Sequence, residues 1–264
     1  MTPILLLGAG RMGGALIEGW RLAGAFDASE LILRDPMAGP VADAAQAAGA
    51  RLNPHDSVLA EARTVVLAVK PQIWREVAVE VAPWLHASAI VVSIAAGVRL
   101  DDLTLEFGGR SVARVMPTTA ATIGRGTASL YADDPQARLR ARALFEPLGE
   151  VVDLLDEAQM HAATAVSGSA PAYLYAFVEA LEAAGVEAGL SSADASRLAR
   201  ATIGGAAALL AKTGEEPAEL RRQVTSPGGT TEAALGVLLG DGGLNPLLRE
   251  AVARAVRRSK ELGG

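Results

Sequence analysis

Apolar residues in the first half of the chain come in short, nearly unbroken runs, ILLL at 4–7, LIL at 31–33, TVVLAV at 64–69 and IVVS at 90–93. Between them lie longer stretches in which apolar residues recur every three or four positions. A short run that is apolar throughout predicts a strand covered on both faces, whereas the wider spacing predicts a helix with one buried stripe. The pattern predicts strands over 4–7, 31–34, 64–69, 89–93, 111–115, 127–131 and 150–154, with helices over 12–23, 38–48, 73–84, 100–107 and 135–148. Strands and helices alternating in this way are repeated βα units, so the expected class is α/β with a doubly wound sheet.

From about residue 156 the texture changes. β-Branched clusters fade, Ala and Leu dominate, and helical patterns follow one another over 157–165, 172–184, 192–213, 217–224, 231–239 and 244–262. Two domains are expected, 1–155 and 156–264. The stretch ARATIGGAAALLAK at 199–212 is apolar on nearly every face, and such a helix must be buried. Five or six helices supply a thin core for it, so an interface with a second copy of the chain is expected; an ordinary buried central helix is the other reading.

Composition narrows the function. The 264 residues carry 24 basic and 30 acidic side chains, a net charge of −6, and no Cys. Acid in excess along the chain gives none of the cationic surface that nucleic acid requires. Without Cys there are no disulfides, thiolate metal sites or cysteine nucleophiles. No basic lead precedes the apolar run at 4–7, which is too short for a signal-peptide core, and no apolar run reaches the roughly 18–20 residues of a membrane helix. A cytoplasmic protein is the expectation.

Gly8-Ala9-Gly10-Arg11-Met12-Gly13 lies directly after the first predicted strand and opens the first predicted helix, the context a dinucleotide fingerprint requires. Gly8 would make the tight turn, Gly10 would let a pyrophosphate approach the backbone, and Gly13 would let helix and strand pack closely. A Rossmann-like domain follows from this placement. After the second strand, Asp35 stands where a carboxylate meets adenosine ribose hydroxyls, while Arg34 beside it could instead meet a 2′-phosphate. Lys70, one of three lysines, and the small residues Ala95 and Ala96 end the next two strands at the edge where open α/β sheets bind ligands. Thr225-Ser226-Pro227-Gly228-Gly229-Thr230-Thr231 precedes a helix and offers N–H groups and hydroxyls to a small carboxylate. Val166-Ser167-Gly168-Ser169-Ala170-Pro171 reads as helix punctuation with Ser as a cap. His55, His86 and His161 share no close spacing, so neither a metal site nor a His base is indicated. A dinucleotide reaction without metal, His or thiol is most simply hydride transfer to an activated acceptor.

Taken in order, GAGRMGGAL, AVKPQ, SIAAGV, RVMPTTA, VSGSAPAY and VTSPGGTT resemble the pyrroline-5-carboxylate reductase family over nearly the whole chain. The resemblance implies an N-terminal Rossmann domain, an all-helical C-terminal domain that binds substrate and dimerises, and often larger rings of dimers. It implies reduction of 1-pyrroline-5-carboxylate to L-proline by NADPH, or less efficiently by NADH. By resemblance, Ser226, Gly228, Gly229, Thr230 and Thr231 bind substrate, with backbone N–H groups around Gly229 and Thr230 holding its carboxylate, and Thr231 and Glu157 are the expected catalytic residues. Thr231 faces the ring nitrogen, and Glu157 matches an acidic residue lining the site. Gly8, Ala9, Gly10, Arg11, Met12 and Gly13, with Arg34, Asp35, Asp56, Ala68, Val69, Lys70, Ala95 and Ala96, would line the cofactor. Hydride transfer would take place between the domains, with part of the pocket supplied by the partner chain.

Three positions depart from the family pattern. Thr118 stands where most members have Asn, Ala170 replaces a Gly, and Arg34-Asp35 is not the small polar pair expected for NADPH. Two other readings resemble the chain less. A β-hydroxyacid dehydrogenase needs a Lys on the first long helix after the junction, and 172–184 contains none. A paralogue that binds dinucleotide without catalysis would fit the altered MPTTA but not the intact SPGGTT.

Overall fold

The computed structural model describes residues 1–262. Eight strands form one sheet: β1 (Ile4–Leu7), β2 (Leu31–Arg34), β3 (Arg51–Leu52), β4 (Thr64–Leu67), β5 (Ile90–Ser93), β6 (Val112–Pro117), β7 (Gly126–Tyr131) and β8 (Gly149–Asp153). Their order is β3-β2-β1-β4-β5-β6-β7-β8. All neighbours are parallel except β6 and β7. The chain winds one way from β1 to β3 and the other way from β4, so the order reverses between β1 and β4, where such sheets bind ligands. The two-residue β3 has no apolar run and was not predicted.

Successive residues of a strand point to opposite faces, and the core divides accordingly. Ile4, Leu6, Leu31, Leu33, Val66 and Val92 pack on one face with Leu16, Ile17 and Trp20 of α1 (Arg11–Ala23) and Leu144 and Phe145 of α5 (Pro135–Phe145). Leu5, Leu7, Ile32, Val65, Leu67 and Val91 pack on the other with Trp74, Ala78 and Val81 of α3 (Trp74–Val81) and Leu103 of α4 (Leu100–Glu106). α2 (Pro40–Ala47) joins the first face through Ala42 and Ala45. Trp20 is fully buried, and its indole N–H donates to the Leu144 carbonyl at 2.8 Å, tying α1 to α5.

One ion pair is buried in this layer. Arg114 of β6, 5% exposed in its side chain, donates to Glu157 Oε1 at 2.7 Å. The same oxygen accepts from the Leu100 backbone N–H at 2.6 Å, the first amide of α4. A single carboxylate therefore neutralises a buried cation and satisfies a helix end that has no side-chain cap of its own.

The remaining helices are α6 (Gln159–Ala163), α7 (Ala170–Glu187), α8 (Ser192–Thr213), α9 (Pro217–Gln223), α10 (Thr230–Leu238) and α11 (Leu244–Leu262). A π-helical turn, Thr164–Gly168, follows α6. Compact packing divides the described residues into 1–168 with 255–262, and 169–254. The sequence pattern placed the junction at 155/156, where strands give way to helices; packing places α6 and the end of α11 with the sheet. Ser169, expected as a cap, precedes α7 with helical backbone angles and makes no side-chain cap bond.

The second unit has almost no interior. Within α7 and α10 no residue is buried, and in α8 only Ala195 and Ala199 are. Leu198, Leu209 and Leu210 of α8 are exposed, so this helix is not a buried central helix of the single chain. A groove of about 510 Å³ between α7 and α8 is lined by Leu174, Tyr175, Val178, Ile203 and Gly204, with Glu182 and Arg200 paired at 2.8 Å.

Two predictions follow from the packing of the sheet unit. An Ala at Gly19 would place its Cβ 2.4 Å from the Ala121 carbonyl oxygen and 2.7 Å from Leu148 Cδ2. In an open helix Gly→Ala stabilises by about 0.5–1 kcal/mol; here Gly19→Ala is expected to destabilise by about 1–3 kcal/mol from overpacking. Urea unfolding reads the sign, and a gain in stability would refute the close contact. Glu157→Ala leaves Arg114 buried without its partner and is expected to cost about 2–4 kcal/mol, a little under a fully buried pair because Glu157 is partly exposed. Adding Arg114→Met should recover part of that loss, and a double variant as unstable as the sum of the single ones would disprove the pairing.

Candidate functional site

The turn after β1 is shaped by what its glycines lack. Gly8 has φ +94°, in the left-handed region, and a Cβ there would lie 2.9 Å from the Ala68 carbonyl oxygen. A Cβ at Gly13 would lie 2.0 Å from the Gly8 carbonyl oxygen, so only glycine lets α1 begin this close to β1. At Gly10 the space beyond the backbone is open. Gly10 is also the N-cap of α1, which has neither a side-chain cap nor an acid in its first turn. The first-turn amides consequently point into open space at the positive end of the helix dipole, an arrangement suited to an anionic group such as a pyrophosphate. A cleft of about 280 Å³ lies alongside, lined by Ala9, Gly10, Arg11 and Gly14 and by Gly39, Pro40 and Val41 at the start of α2. These features fit a dinucleotide.

The strand registers bring the other expected residues to the same edge. Leu7 pairs with Arg34 and with Leu67, and Leu67 pairs with Ser93. Gly8, Asp35, Ala68 and Ile94 therefore follow their strands at one level, held by Gly8 N–H to the Arg34 carbonyl (2.9 Å), Ala68 N–H to the Leu7 carbonyl (2.8 Å) and Ile94 N–H to the Leu67 carbonyl (3.0 Å). Ala95 is buried behind this edge, with Ala96 and Val69 partly covered and Lys70 exposed. Arg11 is exposed, while Met12 packs against the apolar core. Asp56 is not open to a ligand in the same way, since its carboxylate pairs with Arg34 at 2.8 Å. Glu157, expected at the site, is engaged by Arg114 and the Leu100 amide and is not a free carboxylate.

Residues 225–231 form the second cluster. Gly228 has φ +71°, and its N–H donates to Glu232 Oε2 at 2.8 Å, while Gly229 N–H donates to the Ser226 carbonyl at 3.0 Å. A Cβ on Gly229 would meet Ser226 Oγ at 2.7 Å. Gly229 is the N-cap of α10, and it offers no side chain to the first turn. Among the described residues, the hydroxyls of Ser226, Thr230 and Thr231 have no protein partner. The loop is thus braced from within, with its hydroxyls left over.

Several residues that matter here carry no motif. Asn53 adopts φ +46° and its amide brackets Asp35, accepting from the Asp35 N–H at 2.9 Å and donating to the Asp35 carbonyl at 2.8 Å. Thr118, where the family pattern has Asn, is buried, and its hydroxyl accepts from the Thr127 N–H at 3.0 Å, bracing the β6–β7 connection. His161 Nδ1 lies 3.0 Å from the buried Ser259 hydroxyl. Burial, followed by the charges of Arg114 and Lys260, pushes its pKa below the ordinary histidine value, with Glu157 opposing. Only the four-residue spacing from Glu157 hinted at that cluster. In the helical unit, the Tyr173 hydroxyl is the one buried side-chain polar atom without a hydrogen-bond partner among the described residues. No group of three His, Cys, Asp or Glu among those residues could hold a metal ion. No helix of the described residues is long and apolar enough to cross a membrane.

Comparison with known proteins converges on one family. The family described as pyrroline-5-carboxylate reductase dimerisation matches residues 157–262, and that described as NADP oxidoreductase coenzyme F420-dependent matches residues 3–97. Pyrroline-5-carboxylate reductase of Pseudomonas aeruginosa is 40% identical over 99% of this chain and 97% of its own length, and that of Escherichia coli is 32% identical over 97% and 96%. Among solved structures, the Coxiella burnetii pyrroline-5-carboxylate reductase aligns at TM-score 0.90 and 30% identity, covering 100% of this chain and 99% of that one. The Plasmodium falciparum enzyme, with NADP bound, aligns at 0.86 and 27%, covering 100% and 98%. With a doubly wound sheet unit, a helical unit short of a core and relatives this similar along their full length, the chain belongs to the pyrroline-5-carboxylate reductase family.

Proposed function

We propose that this chain reduces 1-pyrroline-5-carboxylate to L-proline with NADPH or NADH, and that it does so as a homodimer paired through its helical unit. The observation that carries the reading is the loop at 225–231, whose backbone is ordered by its own bonds while three hydroxyls stay free. Such a loop suits a small carboxylate with a hydrogen-bonding ring. The glycine turn after β1 suits the dinucleotide that the reaction requires.

The chemistry asks little of the protein beyond positioning. The bound nicotinamide supplies a hydride, and with one proton the imine C=N becomes the C–N bond of a secondary amine. A protonated cyclic imine accepts hydride at carbon without a metal, so the work of the residues is orientation and charge complementarity. With the Gly228 and Gly229 N–H groups taken up inside the loop, the first-turn amides of α10, from Thr230 on, hold the substrate carboxylate at the helix N-terminus. The Thr231 hydroxyl addresses the ring nitrogen and fixes the orientation of the ring. Arg114 and Glu157 act at one remove, fixing the start of α4 against β6.

Pairing of two copies is supported by the helical unit itself. Leu174, Tyr175, Leu198, Leu209 and Leu210 are exposed on α7 and α8, more apolar surface than a lone chain keeps in water. A second copy covers it by isologous contact. A cytoplasmic location is part of this reading, in keeping with the lack, among the described residues, of a helix long and apolar enough to cross a membrane.

The direct test is substrate-dependent loss of 340 nm absorbance with proline as product. In that assay Thr231→Ala is expected to lower turnover at least tenfold, roughly 1.4 kcal/mol of barrier, with dinucleotide affinity nearly unchanged. Unaltered turnover would remove Thr231 from the mechanism, and absence of any substrate-dependent oxidation by the parent protein would overturn the assignment.

A further inference from the structure

We propose that Asp35 makes this chain select NAD(H) over NADP(H). The inference rests on the dinucleotide reading of the glycine turn. In a doubly wound sheet the residue just past β2 meets the 2′ position of the adenosine ribose, which is a hydroxyl in NAD and a phosphate in NADP.

Residues 34 and 35 pull in opposite directions in the sequence, but their side chains part in the structure. The Asp35 carboxylate is turned to the glycine turn: Oδ2 accepts from the Ala9 N–H at 2.6 Å and Oδ1 from the Met37 N–H at 2.8 Å. Its backbone is bracketed by the Asn53 amide on both the N–H and the carbonyl. Four hydrogen bonds therefore fix a negative charge beside the turn that receives the pyrophosphate. Each carboxylate oxygen keeps a lone pair for a ribose hydroxyl, whereas a 2′-phosphate would meet like charge at short range.

The cation that could reverse this is engaged elsewhere. Arg34 Nη2 pairs with Asp56 Oδ1 at 2.8 Å and with Glu80 Oε1 at 3.1 Å, and Nη1 donates to the Pro54 carbonyl at 3.2 Å. The guanidinium is held by two carboxylates and a carbonyl, a cluster of net negative charge. From residue 35 through the end of α2 there is no Lys or Arg, but there are two acids, Asp35 and Asp43. Arg11 opens α1 and is exposed.

The test uses probes that cannot transfer hydride, ADP-ribose and its 2′-phosphate, titrated calorimetrically against the full chain. ADP-ribose is expected to bind at least tenfold more tightly. Asp35→Asn keeps an acceptor for the Ala9 amide while removing the charge, and it should narrow the ratio at least tenfold. Met37 is 88% exposed on the same loop, so Met37→Arg adds a cation without disturbing packing. It should raise affinity for the 2′-phosphate about tenfold and leave ADP-ribose within twofold. Equal or tighter binding of the phosphorylated probe by the parent chain would overturn the proposal, as would an unmoved ratio in both variants when their circular dichroism is native. Failure of both probes to bind at all would overturn the dinucleotide reading together with it, an outcome distinct from the loss of preference alone.

Discussion

The close approach of α1 to β1 is the constraint on which the functional edge depends. Gly13 lies where a Cβ would be 2.0 Å from the Gly8 carbonyl oxygen, and Gly19 where one would be 2.4 Å from the Ala121 carbonyl oxygen. With no side chains at these two points the helix lies against the turn after β1 at one end and against the β6–β7 connection at the other. Trp20 can then reach Leu144, and the first turn of α1 is aimed along the carboxyl edge. Dense packing elsewhere holds that geometry, so the open space at Gly10 is the counterpart of crowding at Gly13. The anion seat exists because its supports leave no room for adjustment.

Charge in the sheet unit is organised around shared acceptors rather than isolated pairs. Glu157 serves Arg114 and the start of α4 together, and Asp35 serves the glycine turn and the Met37 amide. A carboxylate used in this way gains control over backbone position. This is why the proposed selectivity of Asp35 is built into the fold rather than added at the surface.

Much of this architecture was legible beforehand. Fully apolar tetrads such as Ile4-Leu5-Leu6-Leu7 have no other stable home than a doubly covered strand, and α8 and α11 run over the residues their spacing predicts. The fourth strand ends at Leu67 rather than at residue 69, because the chain turns at Lys70 and Pro71, where the Ile73 N–H meets the Lys70 carbonyl. The π-helical turn at Thr164–Gly168 escaped notice since it leaves the helical spacing almost intact. Of the site, the glycine turn could be read because its residue type is dictated by local crowding. The partnership of Arg114 with Glu157, 43 positions apart, could not, nor could the clamp of Asn53 on Asp35, because each arises from register between strands and loops distant in sequence. The same holds for Thr118, whose hydroxyl is occupied within the fold.

The scarcity of buried side chains in residues 169–254 has a consequence for how the protein comes into being. Residues 1–168 leave the ribosome first and carry both apolar clusters of the sheet. The helices that follow emerge with Leu198, Leu209 and Leu210 uncovered, and no later part of their own unit can hide them. Maturation therefore ends in an encounter between two newly made chains, a second-order step whose rate follows the square of their local abundance. Neighbouring ribosomes on one message, by raising that abundance, would shorten the interval in which the helices remain uncovered.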